Sequence, residues 1–101
     1  MVRHLVMWKL KPFAEGRQAP ENAQIAKEKL SALKNQIETI RDLQVNLNIE
    51  GCPYSNFDLI LEVLFDDFKG LVHYQEHPLH LEAAGFVRKV VESRACVDYE
   101  I

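Results

Sequence analysis

Sulfur is scarce in this chain, with two cysteines, Cys52 and Cys96, and two methionines. The cysteines are far apart and too few for a disulfide scaffold, and they lack the close spacing of a zinc signature. Such usage suits a reducing compartment, so a cytoplasmic protein is expected. Glycine is equally rare, at four residues, and none falls in a run that could cradle a phosphate. Long apolar runs are missing too. The opening MVRHLVMWKLK carries charge on both sides of LVMW, which excludes a signal-peptide core and a membrane span there. Nor does one sign of charge dominate. The net charge is −3 with acidic and basic residues interspersed, so neither nucleic acid nor an anionic membrane is an expected partner.

What remains is an ordinary globular composition, 48% apolar and 27% charged over 101 residues, which is one domain spanning 1–101. The first segment alternates. Val2, His4, Val6, Trp8 and Leu10 share one face, opposite Arg3, Leu5, Met7, Lys9 and Lys11, as in a strand. KPFAEGRQAP reads as a loop. From Pro20 to about Ile40 the period turns helical, with Ala23, Ala26, Leu30, Leu33, Ile37 and Ile40 in one stripe. LQVNLNIE (43–50) alternates again, Leu43, Val45, Leu47 and Ile49 against a polar set, giving a strand with one wet face.

FDLILEVLF (57–65) is a strand with apolar residues on both faces, including Ile60 and Leu64. DDFKGLVHYQEH (66–77) reads as a short helix capped by Asp66 or Asp67, with Phe68, Leu71 and Val72 buried. Pro78 starts a second helical piece, about 79–91, with Leu79, Ala83, Phe86, Val87 and Val90 as its apolar side. SRACVDYEI closes the chain as a strand.

The order β-α-β-β-α-β predicts an α+β fold of the ferredoxin-like type, an antiparallel four-stranded sheet with the first and third strands central. Helices cover one face of such a sheet. The apolar residues left on the other face, Leu5, Met7, Ile60 and Leu64, predict a homodimer packed sheet against sheet.

Together HLVMWKLK, YSNFDLILEVLFDD, YQEHPLH and the terminal VDYEI resemble the stress-responsive α/β-barrel family, the Dabb domains, over almost the whole chain. That resemblance implies a dimeric α/β barrel. Many members carry no assigned chemistry, while the catalytic relatives resemble the plant cyclase that makes olivetolic acid without a cofactor. By that resemblance His80 would be a base, Asp98 its orienting partner and Tyr74 a substrate contact. His4 matches a pocket-lining histidine of the family's first strand, and His77 the first histidine of its motif.

Read from the residues alone, antiparallel pairing of the terminal strands brings His4 near the segment holding Asp98, on the helix-side face with Val6 and Trp8. A His80–Asp98 hydrogen bond would hold the imidazole in one tautomer and make it a better base. The alternatives stay open: His77 as a helix cap, His73 in solvent, His4 as a bonded core residue, and Tyr74 as simple packing. The histidines of HYQEHPLH are interrupted by Pro78 and complete no familiar metal signature, so no metal and no cofactor are expected.

Two readings follow, and whether the protein is an enzyme stays open between them. One is a small homodimeric Dabb protein binding a small apolar ligand between sheet and helices, with His4, His77 and Trp8 at the pocket. The other is a cyclase-like, isomerase or lyase activity on a carbonyl substrate, with His80, Asp98 and Tyr74 as the catalytic set.

Overall fold

The computed structural model describes residues 1–101. Strand β1 (Val2–Leu10) buries every second side chain, Val2, His4, Val6, Trp8 and Leu10, as its alternation requires. A hairpin follows in place of the expected loop. Phe13–Ala14 (β2) pairs with Arg17–Gln18 (β3) around Glu15 and Gly16, whose φ angles are 53° and 75°. Two successive positive φ values make the turn that matches strand twist, and glycine carries the second without steric cost. Buried Asn22 ties this hairpin to the next helix. Its Oδ1 accepts from Arg17 Nε at 2.9 Å, and its Nδ2 donates to the Ala14 carbonyl at 3.0 Å.

Helix α1 (Ala19–Ser31) has proline in its first turn and buries Ala23, Ala26 and Leu30. It tightens into a 3-10 turn over Ala32–Asn35 and stops. The stripe read through to Ile40 therefore overruns the helix. Leu33 and Ile37 are buried, but Ile40 opens strand β4 (Ile40–Leu47) opposite Phe65. An apolar stripe records burial, and the core accepts these side chains equally from a helix, a turn or a strand. On β4 Leu43 and Val45 point inward as expected, whereas Leu47 and Ile49 are exposed where the strand runs out.

Strand β5 (Leu59–Phe65) buries Leu59, Leu61, Val63 and Phe65 and leaves Ile60 and Leu64 half-buried. Helix α2 (Phe68–Glu76) is capped by Asp67, whose carboxylate accepts from the Gly70 amide at 2.9 Å. Phe68, expected inside, is 68% exposed. It begins the helix on the solvent side, and the inward positions belong to Leu71 and Tyr74, three residues apart. Helix α3 (Pro78–Val90) runs without a break into β6 (Val91–Glu100). Ala83, Val87 and Val90 are its buried side, with Phe86 half-buried and Leu79 largely exposed.

The sheet order is β4-β5-β1-β6, all neighbours antiparallel. First and third main strands are thus central, and the chain forms the ferredoxin-like α+β fold with its helices on one face. On the other face Leu5, Met7, Ile60 and Leu64 are half-buried, while Val97 is 51% exposed and Tyr99 lies beside it. No helix is long and apolar enough to cross a membrane.

Candidate functional site

The register of the terminal strands builds the site. β1 and β6 pair so that His4 lies across from Asp98, Val6 from Cys96, and Trp8 from Arg94. Residues directly opposite on one face of an antiparallel pair are close enough for their side chains to meet. His4 is 2% exposed, and its Nδ1 donates to the Asp98 carboxylate at 2.5 Å. A buried imidazole needs such a partner, and a carboxylate acceptor sets the proton on Nδ1.

From the helical layer, Tyr74 descends onto this pair. Its ring is fully buried, 5.9 Å from the His4 centroid, 5.3 Å from Phe65 and 4.4 Å from His80. Its hydroxyl has no hydrogen-bond partner. Burial drives the phenol pKa well above its ordinary value, so the group is a permanent donor.

His80, two residues past the start of α3, gives its Nδ1 proton to the Gln75 carbonyl at 3.2 Å. A carbonyl can only accept, so in the neutral ring the lone pair resides on Nε2. Burial holds the His80 pKa below the usual imidazole value. Neighbouring His4, and then Arg88 and Arg94, act in the same direction, against the opposing Gln75 bond.

The expected His80–Asp98 hydrogen bond is therefore absent: Asp98 is engaged by His4, and Tyr74 packs against both histidines. Cross-strand register delivers His4 to Asp98 directly, whereas His80 belongs to the helical layer and finds its acceptor at the end of α2. His77 is also corrected. It is no pocket residue but the cap of α3, its Nδ1 accepting from the Leu79 amide at 3.1 Å. Pro78 occupies the first helical turn and offers no amide proton, which leaves Leu79 as the donor to be capped. His73 lies exposed near Glu38.

Between sheet and helices opens a cavity of about 260 Å³. Val6, Trp8, Leu30, Leu61 and Val87 form its apolar wall, and His4, Tyr74 and His80 supply polar atoms. Arg88 and Arg94 line it as well. Sequence reasoning gave Arg94 and Cys96 no part in a site, although alternation along the strand puts them on the face of Asp98. The alternation of β6 carried that signal. Cys96 Sγ lies 3.8 Å from His4 Nδ1, and its thiol pKa is raised by burial and by the Asp98 carboxylate. The ligand-type atoms of His4, Cys96 and Asp98 all fall within 4.8 Å of one another, but the His4 nitrogen facing the other two carries the proton it gives to Asp98. The histidines of HYQEHPLH make no such group, because the fold sends each of them to a different task.

A four-stranded antiparallel sheet with helices on one face and a cavity between the layers defines a ferredoxin-like α+β protein. The chain belongs to the stress-responsive A/B barrel domain (Dabb) family, which matches residues 2–101. A dimeric protein of unknown function with a ferredoxin-like fold from Bacteroides fragilis is similar at 33% identity and TM-score 0.84, covering 99% of this chain and 95% of that one. A dimeric ferredoxin-like protein of unknown function from Thermobifida fusca shares the fold at 18% identity, with TM-score 0.85 and coverage of 99% and 90%. A hydroxynitrile lyase from Passiflora edulis shares it at 16% identity, with TM-score 0.80 and coverage of 99% and 92%. No curated protein matches the chain.

The His80 shift has a testable sign. Its folded pKa lies below the ordinary 6.5, so on acidification the unfolded chain takes up this proton first. Stability carried by neutral His80 is present above pH 6.5 and falls as pH drops below it toward the folded pKa. A proton NMR titration should give His80 a midpoint under that value, and a midpoint at or above it would contradict the burial argument.

Proposed function

We propose that this chain works as a homodimer, packed sheet against sheet, in which each protomer holds one small, largely apolar carbonyl compound between its sheet and helices. The observation that carries the ligand reading is the Tyr74 hydroxyl. It is a buried donor without a partner, at the wall of a cavity whose other surfaces are mainly aliphatic. An orphaned buried hydroxyl costs about 1–3 kcal/mol, and a ligand carbonyl would supply the missing acceptor. The volume of about 260 Å³ is below the usual drug-sized range, so the guest is small. Trp8 and His4 line its sheet side.

The dimer reading rests on the uncovered sheet face and on the dimeric relatives. Bordering that face, a groove of about 440 Å³ is lined mainly by apolar residues, Met7, Leu47, Ile49, Phe57 and Ile60 among them, with Asn48, Ser55 and Asn56 at its polar side.

A second reading is favoured by the protonation pattern of His80. Neutral, with Nδ1 committed to Gln75 and the lone pair on Nε2, it has the form of a general base at neutral pH. Proton transfer from carbon to Nε2, with Tyr74 donating to the developing enolate oxygen, would support a lyase, isomerase or cyclase-like reaction without a cofactor. Asp98 would act through His4 as a positioning residue. That a lyase exists on this scaffold shows its breadth rather than this chain's chemistry.

Sedimentation at micromolar concentration should give twice the 11.7 kDa chain mass, and Met7→Asp should give monomers. A monomeric wild type ends the dimer reading. Acetophenone, titrated by NMR, should shift pocket resonances saturably. Tyr74→Phe should weaken that binding about tenfold while stabilising the empty protein by about 1 kcal/mol in chemical denaturation. Unperturbed pocket resonances across a panel of small ketones would end the ligand reading. For the second reading, exchange of the ketone α-protons in deuterium oxide should be accelerated by wild type and not by His80→Ala. Equal rates would clear His80 of proton transfer.

A further inference from the structure

The polar atoms of the pocket are graded with depth. Tyr74 at one end is fully buried, whereas Arg88 and Arg94, which line the same cavity, are exposed. The two arginines come from adjoining elements. Arg88 is in the last turn of α3, and Arg94 follows on β6 across from Trp8, so the direct passage from helix to strand brings both exposed arginines to the lining of one cavity.

Neither has a carboxylate partner. The ion pairs of the protein engage His4, Lys9, Lys34, Arg41 and His73, and the nearby acids Asp98 and Glu92 are taken by His4 and Lys9. A pocket lined by two guanidinium groups without carboxylate partners and by a buried orphan donor is asymmetric in charge. A neutral guest would leave the outer half of that arrangement unused.

Building on the carbonyl-binding reading above, we infer that the ligand is a small apolar oxo acid, its carboxylate held at the mouth by Arg88 and Arg94 and its carbonyl oxygen at Tyr74. Guanidinium forks match a planar carboxylate with paired hydrogen bonds, and the aliphatic wall of Val6, Leu61 and Val87 fits the stretch between the two polar ends. The positive field of both arginines already reaches His80 at the pocket wall, where it disfavours a charged imidazole. A carboxylate at the mouth neutralises that field.

Isothermal titration of benzoylacetate against its neutral ethyl ester tests the inference. Wild type should bind the acid about five- to tenfold more tightly than the ester, and added salt should narrow the gap, as exposed ion pairs do. In the Arg88→Gln/Arg94→Gln double variant the acid-to-ester ratio should fall to about one. Being a ratio within one protein, it does not depend on the fraction folded. If wild type binds acid and ester equally, the carboxylate assignment fails while the carbonyl reading stands. If neither acid, ester nor acetophenone binds, the carbonyl reading itself fails. A preference that survives in the double variant removes the arginines from the assignment, and tighter binding of phenyl phosphate than of the acid would replace carboxylate by phosphate.

Discussion

The antiparallel pairing of the first strand with the last is the constraint from which the site descends. Backbone hydrogen bonds along β1 and β6 lock a register in which His4 must meet Asp98, at 2.5 Å and on the face beneath the helices. A one-residue slip would turn His4 out of the core and put Arg3 or Leu5 in its place. The same pairing brings Trp8 beside Arg94 and Val6 beside Cys96, so the floor and one edge of the pocket are both set by it. It also closes the chain on itself, with Ile101 donating its amide to the Met1 carbonyl.

Above that floor, the helical layer supplies groups whose hydrogen-bonding needs are almost all met locally. Asp67 caps α2, His77 caps α3, and His80 donates to Gln75. Tyr74 alone is left short. Buried polar groups nearly always find partners in native proteins, and the exceptions tend to mark places where something else binds. Here the exception borders a cavity, between two imidazoles whose protons are both directed away to other acceptors. In the lining of that cavity Tyr74 is a donor without an acceptor, and Arg88 and Arg94 are cations without a carboxylate partner.

Much of the fold was legible because strands and helices leave different periods in a chain. The alternation in Val2–Leu10 and Leu59–Phe65 and the Pro78 break each lead directly to an element of the structure. The misreadings share a cause. Ile40 continued a helical stripe yet opens a strand, and Phe68 looked like core yet is exposed, because apolar character says that a residue can be buried and not from which element. The site was legible in composition but not in pairing. His4, Tyr74, His80 and Asp98 could be named from the chain, with His80 expected on Asp98. Nothing local to HYQEHPLH could show that Asp98 was already taken.

By itself, then, the sequence determined the order of the main strands and helices, the helix-facing side of β1 and the set of side chains able to do chemistry. Those follow from local physics: steric preference, period and capping. Only the tertiary structure decided which donor meets which acceptor, that His77 caps a helix rather than facing a ligand, and that Arg88 and Arg94 converge on one opening. Such pairings depend on register and layer spacing between residues distant in the chain, and a hydrogen bond forms or fails over differences of an ångström.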